Sequence, residues 1–255
     1  MTNQEMLHIA MQQSAIECGC EVTDFMKTEN VTCISRPHPE ARVYLQLPLF
    51  CDLTSYGSNV VATLDESVKD IVAAYIDKYD AAHCFETPNF HVLNDEMQKR
   101  GMRICFMAEY FLPDMRAMTE IPCDYALRVL SPSDFADLYL PEWGNALCER
   151  RKEHDVLAVG AYDGDTLIGL AGCSTDCESM WQIGVDVLPP YRRQGVAAAV
   201  TNRLAREIIA RGKVPFYCCA WSNIASARNA IKSGFRPAWV QMTAKPIEVV
   251  EQMNR

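Results

Sequence analysis

The sequence predicts an α+β protein, in which a mixed central sheet is flanked by helices and a second α/β domain forms the N-terminal half. Three observations support this fold class. The chain has 255 residues, a length that suits two domains. Hydrophobic residues make up 49% of it and charged residues 22%, which is enough for packed cores. In the second half, an apolar hairpin precedes two strand–helix units, an order typical of a sheet with both antiparallel and parallel pairs.

The N-terminal half alternates apolar segments with helical spacing and short apolar runs. Helices are predicted, from the spacing and the end residues, at 6–18, 66–79 and 87–99. Strands are predicted, from apolar and β-branched runs, at 43–50, 58–64, 83–85 and 103–112. The segment from Pro113 to Pro122 is polar, has Pro at both ends and lies where the charge balance changes. We therefore expect one domain over residues 1–118 and a second over 119–255.

The C-terminal half has a clearer pattern. A strand at 126–130 is followed by predicted helices after Ser131 and near 142–152. The apolar runs 156–162 and 166–173 are joined by Asp-Gly turn chemistry, which predicts a hairpin. The remaining segments predict a strand, a helix, a strand, a helix and a final strand, at 181–187, 196–210, 214–220, 224–233 and 235–242.

Charge argues against several classes of partner. The chain carries a net charge of −9, and residues 1–118 hold 9 Lys and Arg against 17 Asp and Glu. Such acidity repels a phosphate backbone, so we expect no nucleic acid partner. Apolar runs are only a few residues long, so we expect no membrane partner. The first twenty residues lack a secretory pattern, which predicts a cytoplasmic protein.

The cysteines and histidines do not indicate a metal site. The twelve cysteines are scattered through the chain without a C-x-x-C pair, and the five histidines form no H-E-x-x-H pattern. We therefore expect no bound metal, and we expect reduced thiols rather than a disulfide framework.

The most informative stretch is the turn RRQGVA, which joins the strand 181–187 to the helix that begins near Val196. Backbone N–H groups at a helix start favour an anion, and Gly195 lets a ligand approach the backbone closely. The turn lacks the GK[ST] of an ATP-type phosphate loop and the three glycines of a dinucleotide fold. The alternative is a surface turn that uses Gly195 only for its geometry.

A second motif follows the strand 214–220, in the sequence WSNIASARNAIKSGF. Together the two motifs resemble the GNAT superfamily of acyl-CoA N-acyltransferases over residues 126–242. The family pattern R/Q-x-x-G-x-G/A is matched by Arg192, Gly195 and Ala197. The later pattern of an Asn, a helix and K-x-G-F is matched by Asn223, Ser226, Lys232, Gly234 and Phe235. The resemblance implies a GNAT-like fold and an N-acyltransferase that uses acetyl-CoA.

The resemblance also implies a set of cofactor-binding residues. The turn would bind the coenzyme A pyrophosphate through Arg192, Arg193, Gln194, Gly195, Val196 and Ala197. The preceding strand would pair with the pantetheine arm through the main chain of Val185 and Val187, and Asn223 and Ser226 would flank the arm from the other side. We expect a small-molecule amine as the acceptor, although a polyamine, an aminoglycoside, an amino acid and a protein amine all stay open. A homo-oligomer is also open.

One position departs from the family. Many members have a tyrosine as the general acid where this chain has Ala230. Candidate replacement donors are Tyr217, Cys218 and Ser226, and candidate bases are Glu178 and Asp186. The departure motivates a second hypothesis, a non-catalytic CoA-binding or sensing module. The N-terminal half is either a degenerate GNAT-like half, because Asn89 and Gly101 echo the spacing of Asn223 and Gly234, or an unrelated α+β domain.

The charge division generates a prediction about the acceptor. If the acidic N-terminal half attracts a cationic amine, kcat/KM for that amine falls as salt rises to about 0.5 M, where the Debye length is a few ångströms. The measurement holds acetyl-CoA saturating, because Arg192 and Arg193 would also lose attraction to phosphates. A flat kcat/KM, or a neutral or anionic best acceptor, contradicts this steering.

Overall fold

The computed structural model describes residues 1–255, which form two compact units. The C-terminal unit consists of Met1–Ile9 and Phe111–Pro237, and the N-terminal unit consists of Ala10–Tyr110 and Ala238–Arg255. Each unit is therefore built from two stretches of chain. The domain boundary expected between residues 118 and 119 stays a prediction. No helix combines the length and the apolar character required to cross a bilayer.

Six helices and ten strands make up the regular structure. The helices are α1 Asn3–Cys18, α2 Lys69–Lys78, α3 Thr87–Gln98, α4 Val196–Ala210, α5 Ile224–Lys232 and α6 Ile247–Met253. The strands are β1 Val31–Ile34, β2 Cys51–Ser55, β3 Val61–Leu64, β4 Met102–Pro113, β5 Ala126–Leu130, β6 Asp155–Asp163, β7 Thr166–Ser174, β8 Met180–Val187, β9 Val214–Ala220 and β10 Phe235–Pro246.

The C-terminal unit confirms the predicted α+β class with a mixed sheet. Its strands lie in the order β9, β8, β7, β6, β5, in which β8 and β9 are parallel and the other pairs are antiparallel. Helix α4 packs on this sheet through an apolar stripe at every fourth position, as the sequence predicts. The stripe is fully buried and consists of Val196, Val200, Leu204 and Ile208.

In the N-terminal unit the strands lie in the order β1, β3, β2, β10, β4. Strands β1 and β3 are parallel, and β2 is antiparallel to both β3 and β10. Helices α2 and α3 contribute Val72, Ile76, Leu93 and Met97 to its core. A buried ion pair adds a polar element, because Arg42 Nε and Nη2 donate to the Glu17 carboxylate at 2.6 and 2.5 Å.

Several predicted elements are wrong. The segment 43–50 is not a strand, because Gln46 adopts a left-handed conformation with φ 57° and Pro48 has no N–H for a ladder. A short 3₁₀ helix replaces the strand predicted at 83–85. The helices predicted after Ser131 and near 142–152 are turns and short 3₁₀ helices, at Pro141–Trp143 and Glu149–His154. The sequence patterns also did not predict the strands β1 and β2 or the helix α6.

Candidate functional site

The two parallel strands of the C-terminal unit part midway along their length. Strands β8 and β9 are paired from Met180, opposite Val214, to Ile183, opposite Tyr217. Both strands continue beyond these residues but no longer pair with each other. A cavity of about 880 Å³ lies at this parting and is lined by residues of both strands, of α5 and of the start of α4. Pockets that bind small molecules have volumes of about 300–1,000 Å³, so this cavity is near the upper end of that range.

The edge of β8 that faces this cavity has no strand partner. Val185 and Val187 pair with Ala171 and Gly169 of β7 on one side and have no β9 partner on the other. Both valines line the cavity. Buried backbone N–H and C=O groups require hydrogen-bond partners. The edge can therefore pair with an extended ligand in the manner of an added strand.

The turn between β8 and α4 has an unusual backbone. Arg193 and Gly195 both have positive φ, at 63° and 86°. A left-handed residue other than glycine costs about 1 kcal/mol, and such costs concentrate at ligand-binding turns. Such a backbone turns successive N–H groups towards one side, a geometry that binds anions in other proteins. The first turn of α4 follows directly, and its N–H groups have no intrahelical acceptor. Val196, Ala197 and Ala198 of that turn line the cavity.

The side chains of this turn hold its shape. Arg192 Nε donates to the carbonyl of Val187 at 2.9 Å, which ties the turn to the end of β8. Gln194 Nε2 donates to the carbonyl of Pro190 at 3.0 Å, and its Oε1 accepts from the Tyr125 hydroxyl at 2.7 Å. The cavity lining contains Arg192 and Arg193 but not Gln194. Gln194 thus contributes to the geometry of the turn rather than to the wall.

Asp186 lies on β8 in the cavity wall, and its carboxylate accepts three hydrogen bonds. One oxygen accepts from the backbone N–H groups of Asn145 and Ala146 at 2.8 and 2.9 Å, and the other accepts from Asn145 Nδ2 at 2.6 Å. These bonds fasten the segment that follows the 3₁₀ helix Pro141–Trp143 onto the strand. Asp186 therefore positions this segment, and Asn145 becomes part of the cavity wall.

Gly184 makes this approach of the segment possible. A Cβ atom at this position would lie 1.8 Å from the carbonyl oxygen of Asn145, far inside van der Waals contact. The segment could not lie on β8 if residue 184 carried a side chain.

Strand β9 and helix α5 form the opposite wall. Asn223 caps α5, because its Oδ1 accepts from the N–H of Ser226 at 3.1 Å. The Tyr217 hydroxyl lies 2.8 Å from Ser226 Oγ, and either group can donate. Burial raises the pKa of Tyr217, so this phenol holds its proton at neutral pH. The wall thus places two hydroxyls beside the parting of the strands.

The structure does not bring every predicted residue to the cavity. Glu178 lies outside the lining, in the turn before β8, with a side chain 97% exposed and 3.9 Å from Lys213. Ala230 is fully buried in the core of the unit and offers no proton donor. All other predicted cofactor-binding residues except Gln194 line the cavity.

Sequence reasoning missed part of the wall. Four basic side chains and one carboxylate line the cavity, and two of the basic ones, Arg228 and Lys232, lie on α5. Their spacing of four along a helix was a signal that these residues share a face. No signal marks Asn145 as part of the wall, because its place depends on hydrogen bonds to Asp186, 41 residues away.

Comparisons with known proteins find a family similarity for this region. A family model described as the acetyltransferase (GNAT) family matches residues 116–235. Comparison with curated protein sequences gave no significant match.

Solved structures also match. A putative GNAT-family acetyltransferase from Novosphingobium aromaticivorans is 20% identical with a TM-score of 0.44, and the match covers 56% of this chain and 66% of that one. A GCN5-related N-acetyltransferase-like protein from Streptococcus suis is 16% identical with a TM-score of 0.45, covering 63% and 68%. An aminoglycoside N-acetyltransferase in complex with CoA is 16% identical with a TM-score of 0.35, covering 46% and 91%. The chain spans slightly less than two thirds of the Novosphingobium chain.

The close approach at Gly184 predicts the effect of one added methyl group. Gly184→Ala displaces the segment around Asn145 and lowers the free energy of unfolding by about 1–3 kcal/mol, the usual cost of overpacking. Urea denaturation measures this loss. Gly160→Ala is the control, because its Cβ would meet the ends of side chains, which can rotate. Equal stability of the two variants contradicts the predicted role of Gly184.

Proposed function

We propose that this chain, whose residues 116–235 match the model of the acetyltransferase (GNAT) family, transfers an acetyl group from acetyl-CoA to a primary amine. One observation carries the proposal. The anion-binding turn at Arg193 and Gly195 and the unpaired edge of β8 border the same cavity. A ligand that is a polyphosphate at one end and an extended amide chain at the other matches both features.

The residues present fit coenzyme A. The N–H groups of Gly195, Val196 and Ala197 would hold the pyrophosphate at the start of α4. The backbone of Val185 and Val187 would pair with the pantetheine amides, as the resemblance implies. The excess of basic over acidic side chains in the lining favours the phosphates.

Acetyl-CoA supplies the acetyl group as a thioester, so the amine nitrogen forms the new C–N bond while the C–S bond breaks. The leaving sulfur takes up a proton. Tyr217 is our candidate for holding that proton, because it lines the cavity, is protonated at neutral pH and is hydrogen-bonded to Ser226. Tyr217 would thus take the part that Ala230 cannot perform.

The acceptor amine has to lose a proton before or during its attack. Asp186 is the only carboxylate in the lining, and its oxygens already accept from Asn145 and Ala146. Glu178 lies away from the cavity. We therefore propose that the acceptor reacts from its neutral form and that solvent takes the proton.

The cellular setting follows from composition. We propose a cytoplasmic location, because all twelve cysteines are free thiols and this compartment keeps thiols reduced. The net charge of −9 favours a small amine over nucleic acid or an anionic membrane as the partner.

The first test concerns binding. Gly195→Trp fills the turn and weakens acetyl-CoA binding at least about tenfold in isothermal titration, a change of 1.4 kcal/mol. Gly212→Trp is a matched control, because Gly212 also has positive φ and lies at the other end of α4, outside the lining. No binding of acetyl-CoA by the folded protein, or equal affinity of the two variants, contradicts the proposed site.

The second test concerns the proton. Tyr217→Phe lowers kcat at least about tenfold without changing the Kd of acetyl-CoA, because a general acid contributes only after binding. Thiol release from acetyl-CoA with a panel of amines measures turnover. Tyr191→Phe is the control, because Tyr191 also lines the cavity but its hydroxyl donates to Asp163. Full activity of Tyr217→Phe contradicts its role.

The alternative function is a non-catalytic CoA-binding or sensing module. The observation that favours it is Ala230, which is buried where the family has its tyrosine. Tight binding of acetyl-CoA without thiol release for any amine supports this alternative. Turnover with any acceptor excludes it.

A further inference from the structure

The α5 side of the cavity has a charge opposite to that of the chain as a whole. The chain holds 33 Asp and Glu, but none lies between Glu207 and Glu248, a stretch of 40 residues that contains six Lys and Arg. Helix α5 lies within this stretch and contributes Arg228 and Lys232 to the cavity lining. This wall is therefore basic in a chain that is acidic overall.

These two cations have no carboxylate partner in the protein. On the neighbouring helix α4, Arg203 and Arg211 pair with Glu207 at 2.9 and 2.8 Å. Arg228 and Lys232 form no salt bridge and no side-chain hydrogen bond, and both are exposed. Like charges four residues apart on a helix repel each other and destabilise it. An anion bound between the two side chains would relieve this repulsion.

The attachment of α5 to α4 places these cations near the start of α4. Asn229 Nδ2 donates to Thr201 Oγ1 at 3.2 Å, and Thr201 is fully buried in the second turn of α4. Lys232 is three residues from Asn229 and four from Arg228, spacings that place all three on one face of α5. The first turn of α4 lines the same cavity. The two cations therefore lie on the side of the cavity where the pyrophosphate is expected.

Coenzyme A carries one more anionic group than the turn before α4 would bind. Its pyrophosphate is joined through adenosine to a 3′-phosphate, a monoester whose charge at neutral pH is about −1.5 to −2. The N–H groups of the turn would hold the pyrophosphate, which leaves the 3′-phosphate for a second set of donors. A guanidinium and an ammonium suit such a group, because Arg offers two parallel donors and Lys a mobile point charge.

We propose that Arg228 and Lys232 bind the 3′-phosphate of coenzyme A, so that the site selects CoA over dephospho-CoA, which has a 3′-hydroxyl instead. This inference rests on the proposed function, because it requires acetyl-CoA in this cavity. A neutral hydroxyl leaves both cations without an anion, so the pair that adds affinity for CoA also supplies the selectivity. Water screens exposed charges, which keeps this selectivity modest.

Isothermal titration compares acetyl-CoA with acetyl-dephospho-CoA, two ligands that differ only in the 3′-phosphate. We expect the unaltered protein to bind acetyl-CoA about tenfold more tightly. Equal affinity for the two ligands overturns the inference and leaves the proposed function standing. Failure of the folded protein to bind either ligand overturns both.

Two single variants assign the selectivity to α5. Arg228→Gln and Lys232→Gln each weaken the binding of acetyl-CoA about three- to tenfold. Neither changes the affinity for acetyl-dephospho-CoA, because that ligand lacks the group that these side chains contact. Arg236→Gln is the matched control, since Arg236 is an exposed cation of the same acid-free stretch but lies outside the cavity lining. We expect it to leave both affinities unchanged.

Two results with the variants contradict the subsite. Equal weakening of both ligands by Arg228→Gln and Lys232→Gln indicates a general attraction for phosphates and overturns the inference. An unchanged preference for acetyl-CoA, together with a raised KM for the acceptor, assigns the cations to an anionic acceptor and also overturns it. Circular dichroism confirms that each variant is folded before it is titrated.

Discussion

The site depends on the parting of β8 and β9 after the Ile183–Tyr217 pair. Two strands that stayed paired to their ends would satisfy each other's backbone groups and leave no room between them. Because they part, Val185 and Val187 have no partner on β9, and a cavity of about 880 Å³ opens beside this edge of β8. The start of α4 borders the same cavity, so its N–H groups without an intrahelical acceptor and the strand edge face the same space.

The same part of β8 organises the wall around it. Gly184 lacks a side chain where the carbonyl of Asn145 approaches, and Asp186 accepts three hydrogen bonds from Asn145 and Ala146. These three hydrogen bonds hold the segment around Asn145 against β8, so Asp186 has a structural role in the cavity wall. The assignment of Asp186 as a candidate base stays a prediction, and the structure places its side chain in the cavity wall.

The candidate proton donor lies on β9 and not on α5. Ala230 is in the core, so helix α5 has no phenol to offer. Strand β9 carries Tyr217 into the cavity wall, and α5 supplies Ser226 as its hydrogen-bond partner at 2.8 Å. The candidate general acid of this chain is therefore a residue of the strand β9, whereas many family members have theirs at the position of Ala230.

The sequence by itself determined the hairpin, the strands β8 and β9 and the helices α4 and α5 of the C-terminal unit, and it singled out the turn before α4. The stripe from Val196 to Ile208, the Asp-Gly hairpin and Gly195 are local patterns, and local patterns depend on the periodicity and the φ preferences of nearby residues. Only the tertiary structure decided the conformation of the irregular segments and the hydrogen-bond partner of each polar group. The segment 43–50 has an apolar run but turns at Gln46, and Asn145 reaches the cavity through a residue 41 positions away. Long-range contacts of this kind follow from the packing of the whole unit, which no window of sequence contains.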